Sequence, residues 1–156
     1  MLVLKLYHAT SSIRADEILR STNNRAVNFE GRDGVQFFDK PDLNAEVLLD
    51  ICVGEDDVTI YEQKKQGAKV REWRIPPSYV NGINVQRVPR CHAEVIKEGP
   101  HRGVYFDNAS DVEGIEPCTK FAFHSEYLFR LAEVKYSACE EHSVALKNAA
   151  RGQKRQ

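Results

Sequence analysis

The chain lacks the short motifs that announce the commoner enzyme classes. It holds no GxSxG elbow, no HExxH and no Walker loop, which sets aside serine-hydrolase, zinc-peptidase and P-loop readings. It has no CxxC either. Its four cysteines, Cys52, Cys91, Cys118 and Cys139, are widely and irregularly spaced, so no disulfide framework is legible and reduced, cytosolic cysteines are expected. Charge of one sign is not in excess: 22 Lys and Arg face 23 Asp and Glu, for a net charge of −1, which gives no global pull toward nucleic acid or an acidic membrane. No stretch approaches the roughly 20 apolar residues of a membrane span. Met1-Leu2-Val3-Leu4 is apolar, but Lys5 interrupts it too early for a secretory core. The expectation is a cytoplasmic protein in a reducing compartment, with no membrane partner. Internal repeats and low-complexity blocks are also missing.

What is present is an ordinary globular composition, 42% hydrophobic and 29% charged over 156 residues. That length suits one domain that buries about two-thirds of its unfolded surface. Lys147, Arg151, Lys154 and Arg155 close the chain with no acid among them. The division expected is a domain over residues 1–138 and a basic, flexible tail over 139–156, which reads as a solvated, frayed end, with contact to phosphates as the alternative.

The pattern predicts an α+β fold. Leu2 to His8 alternates and reads as a first strand. Thr10, Ser11 or Ser12 caps a helix with Ile13, Ile18 and Leu19 as its buried face. A polar loop covers Ser21 to Asp33, and Gly34 to Phe38 is a short strand. Asp39 to Ile51 reads as a second helix, with Pro41 in its first turn and Leu43, Val47, Leu48 and Ile51 inward. Strands are predicted at Val58–Tyr61, Val70–Ile75, Ile83–Val88, Ala93–Ile96, Gly103–Phe106, Lys120–His124, Tyr127–Leu131 and Val134–Tyr136.

Several chemistries compete for the polar residues. Cys139 and His142 are three apart, half of a zinc motif, and His92, His101, His124 or His142 could join Cys91, Cys118 or Cys139 in a zinc site. No second matched pair accompanies them, so no metal is expected. Nothing marks one cysteine as an activated nucleophile. His8 is different. It ends a strand, and small hydroxyl residues and a helix follow it, which suits an imidazole that meets a ligand hydroxyl. Read alone, His8 is as easily a strand-end histidine with a structural hydrogen bond, and Glu126 a solvent-facing carboxylate.

Three segments in order change that reading. Tyr7-His8-Ala9-Thr10-Ser11, then Gly34-Val35-Gln36-Phe37-Phe38-Asp39 with Ala45, then Ser125-Glu126-Tyr127-Leu128-Phe129 with Val134 and Tyr136 resemble the three motifs of the ADP-ribosyltransferase superfamily. The similarity is to the His–Tyr–Glu branch that holds poly(ADP-ribose) polymerases and diphtheria-type toxins, and it spans residues 2–136. It implies a split antiparallel sheet with two N-terminal helices. It implies NAD as co-substrate, release of nicotinamide, and mono-ADP-ribosylation of a protein or nucleic-acid acceptor. Glu126 and His8 would be the catalytic pair, with Glu126 stabilising an oxocarbenium-like transition state. His8 would grip ribose hydroxyls, with Thr10 or Ser11 in support. The Ala9 backbone would hold the carboxamide, and Gln36 and Phe37 would flank the nicotinamide. Two departures stand out. Gln36 occupies the place of the stacking Tyr, and Ala9 the place of the commoner Gly. Arg102-Gly103-Val104-Tyr105-Phe106-Asp107 also matches the second motif and supplies that Tyr, so Tyr105 stays open as the alternative. A catalytically inactive NAD- or ADP-ribose-binding or protein-interaction module on the same fold is the other reading.

Overall fold

The computed structural model describes residues 2–24, 29, 33–106, 113–129 and 133–154. Asp107 and Leu131, which end two predicted segments, and Arg155 of the basic run lie outside them. The chain is mixed α+β, mostly antiparallel, and divides into two compact units, Met1–Val88 and Pro89–Gln156. The domain expected over residues 1–138 spans that division, which falls after Val88.

In the first unit, β1 (Val3–Thr10) runs beside β2 (Val35–Phe38) on one side and β3 (Val47–Gly54) on the other. β4 (Glu62–Gln63), β5 (Glu72–Ile75) and β6 (Gln86–Arg87) complete a sheet of order β4-β5-β2-β1-β3-β6. Strand alternation sends Leu6, Val35, Phe37, Leu49, Ile51, Trp73 and Ile75 to one face, where they pack with Ala15 and Ile18 of α1 (Ser12–Asn24). Ile13 is 77% exposed. Ala15 and Ile18, three apart, form the helix's buried stripe in its place.

The second N-terminal helix is not formed. Residues 39–46 turn, with Ala45 N–H bonded to the Asp42 carbonyl, and Val47–Gly54 is the longest partner of β1, with eight registered pairs from Val3↔Gly54 to Thr10↔Val47. A run such as Val47-Leu48-Leu49-Asp50-Ile51 satisfies helical spacing and a doubly covered strand equally well. Its β-branched residues and the open edge of β1 decide for the strand. The strand expected at Val58–Tyr61 is instead a helical turn, α2 (Glu55–Val58), and a tight turn over Thr59–Tyr61. Three acids in its first turn suit a helix N-terminus; Val58 is buried and Tyr61 packs partly against the core, while Ile60 is exposed.

After α3 (Pro77–Val80), the second unit holds β7 (Glu94–Ile96) between β8 (Gly103–Tyr105) and β9 (Ile115–Pro117), and the antiparallel pair β10 (His124–Phe129) and β11 (Glu133–Ala138). The residues expected as a flexible tail fold as α4 (Ser143–Lys154), packed on β10 and β11. Leu146 and Ala150, one turn apart, enter a core with Ala93, Phe106, Ala122, Leu128 and Ala138. Lys147 and Arg151 stay exposed on the opposite stripe.

Candidate functional site

The last residues of β1 place His8 beside β2. Its Nδ1 lies 2.8 Å from the Gln36 carbonyl oxygen. A carbonyl only accepts, so Nδ1 carries the proton and Nε2 keeps its lone pair. The ring meets Phe29 edge-on and Phe37 at a tilt, both with centroids 5.5 Å away. Burial lowers the His8 pKa, partly opposed by the Gln36 carbonyl, and the nearby Arg14 charge lowers it further. The imidazole is therefore neutral near pH 7, with a fixed tautomer. No partner for Nε2 occurs among the described residues, so an acceptor is free to receive a ligand hydroxyl or N–H.

The neighbours in the first motif are partly committed. Ser11 Oγ accepts the Arg14 N–H at 3.1 Å, and the Ser11 carbonyl accepts from Ala15, so Ser11 is the N-cap of α1. The Glu46 carboxylate accepts the Ser12 N–H at 3.0 Å. Thr10 is half-buried at the end of β1, and Ala9 is exposed opposite Leu48.

The second motif divides between two faces. Gly34 enters β2 at φ +92°, and a Cβ there would meet the Arg74 backbone at 2.9 Å, so only glycine fits. Phe37 shares the buried face with His8. The Gln36 side chain points to the other face, where its Nε2 donates to Glu72 Oε1 at 2.6 Å. Gln36 and Phe37 therefore do not flank one ring. Lys65 Nζ donates to the second Glu72 oxygen at 2.8 Å, and Lys65 and Gln36 together hold the Glu72 carboxyl below its usual range. Phe29 and Glu72 are contacts that residue spacing did not reveal. The only signal for Phe29 was an aromatic residue inside an otherwise polar loop.

Glu126 and Tyr105 belong to the second unit. Glu126 is half-buried on β10, opposite Tyr136 and on the side of Leu128. Tyr105 donates its hydroxyl to the His101 carbonyl at 2.7 Å, which ties its ring to its own hairpin.

The second unit also gathers Cys91, Cys118, Cys139 and His142, whose ligand atoms all lie within 4.8 Å of one another. Cys118 and Cys139 sulfurs are 3.9 Å apart, and His142 Nδ1 lies 3.4 Å from Cys139 Sγ and 3.6 Å from Cys91 Sγ. Cys91, Cys139 and His142 are buried and Cys118 is half-buried. Burial pushes the Cys91 thiol up to about 11, against backbone amides of Cys139 and Ala93 that pull it down. Only Cys139-x-x-His142 was visible as a pair. Cys91 and Cys118 join it from two other loops, which no local spacing encodes. No protein-family model, no curated protein and no solved structure matches this chain.

Proposed function

We propose that this protein is an NAD-dependent mono-ADP-ribosyltransferase with the split-sheet fold of that superfamily, and that His8 grips a ribose of NAD. One observation carries the reading: a half-buried, neutral histidine near the end of the first strand donates Nδ1–H to the Gln36 carbonyl and leaves Nε2 as an acceptor. A hydroxyl clamp needs only a fixed lone pair, which the Gln36 bond to Nδ1 leaves on Nε2. The ordered motifs supply the rest: Glu126 takes the carboxylate role, and the acceptor is a protein or nucleic acid.

A second reading has its own observation. The Gln36 amide, in place of a stacking ring, is engaged by Glu72 on the face away from His8. A module that binds NAD or ADP-ribose without turnover accounts for that placement.

One assay separates the two. With labelled NAD, wild type releases nicotinamide and Glu126→Gln loses about a hundredfold or more of that rate, with NAD affinity kept. Equal, background release from both proteins overturns the transferase. NAD binding in the absence of release then favours the module.

A further inference from the structure

We propose that Cys91, Cys118, Cys139 and His142 bind one structural zinc ion that pins the loops of the second unit together. Three of the six edges between the ligand atoms match this ion, and the other three lie within 4.8 Å. For tetrahedral zinc, Zn–S of about 2.3 Å and Zn–N of about 2.0–2.1 Å give edges near 3.8 Å between two sulfurs and near 3.6 Å between sulfur and nitrogen. The edges found are 3.9 Å for Cys118 to Cys139, and 3.6 and 3.4 Å from His142 Nδ1 to Cys91 and Cys139. The same 3.9 Å is nearly twice a disulfide's length of about 2.05 Å, and all four cysteines are free thiols.

The ligands come from separate parts of the unit. Cys91 precedes β7, Cys118 follows β9, and Cys139 and His142 bracket the turn between β11 and α4. Backbone bonds hold each in place: Cys91 N–H to Lys120, Cys118 N–H to Ala93, and His142 N–H to Cys139. Three sulfurs and one nitrogen complete the shell with protein alone, which is the pattern of a structural site and leaves no open position for substrate. Soft thiolate with imidazole favours zinc over magnesium or calcium. A unit of this size, with two small sheets and one helix, is in the range where a metal commonly supplements a small core.

The test uses the full chain, purified under reducing conditions without chelator. The expected result is about one zinc per chain by elemental analysis. Reconstitution with Co²⁺ should give the intense visible bands of tetrahedral thiolate coordination. Cys118→Ser and His142→Ala should lose the metal, whereas Cys52→Ser, an exposed position in the first unit, should keep it. A strong chelator should lower the Tm of wild type. Zinc far below stoichiometry with no tetrahedral Co²⁺ spectrum overturns the proposal, even where the variants fail to fold. So do iron at full occupancy in place of zinc, and a Cys118–Cys139 disulfide found by mass spectrometry.

Discussion

At the residue scale, His8 owes its character to where β1 ends. The Gln36 carbonyl fixes its tautomer, and Phe29 and Phe37 strip water from its ring. A desolvated imidazole resists protonation, and the sign of its pH dependence follows. The folded-state pKa lies below the ordinary 6.5, so protons bind the unfolded chain preferentially as the pH falls. The stability His8 contributes is complete above about pH 6.5 and is lost as the pH drops through its folded-state value. Thermal melts of wild type and His8→Asn across that window should therefore converge toward acid, with wild type losing more stability. Parallel curves would mean that His8 is not desolvated. The sequence placed His8 on a strand end but not against Phe29, because an aromatic residue in a polar loop has no period to betray its partner. The grouping of Cys91, Cys118, Cys139 and His142 was hidden for a related reason. Ligands that converge from three loops are neighbours in space only.

At the element scale, β3 and α4 teach opposite lessons. Val47–Gly54 carries apolar residues on both of its faces, as central strands do, and that density also satisfies a helical stripe. What separates the two is the eight-pair register with β1, a tertiary fact. β1, β2, β5 and β11 were legible, since short alternating or branched runs flanked by turns leave little choice. For α4, charge misled. Lys147, Arg151 and Lys154 drew attention to a solvated end, whereas Leu146 and Ala150, one turn apart, were the better signal. Leu146 is fully buried, so Leu146→Ala should cost about 2–4 kcal/mol of stability by denaturant unfolding. A cost below about 0.5 kcal/mol is the behaviour of an exposed position and would deny α4 its place in the core.

At the scale of the whole molecule, the chain is two units with different needs. The first has a six-stranded sheet and a large apolar core, and it carries His8, Gln36 and Phe37. The second has a smaller core, and it carries Tyr105, Glu126 and the cysteine cluster. No Gly- or Ser-rich linker marks Val88-Pro89, so composition alone could not divide the chain there. The α+β class was legible because it depends only on counting elements. The central claim is that the chain binds NAD through His8, and calorimetric titration of NAD into wild type and His8→Asn tests it most directly. Asparagine keeps an N–H for the Gln36 carbonyl but withdraws the acceptor at Nε2. Saturable binding by wild type, weakened about tenfold in the variant for the loss of one hydrogen bond, is the expected result. No saturable binding by wild type, or equal affinity in the two proteins, contradicts it.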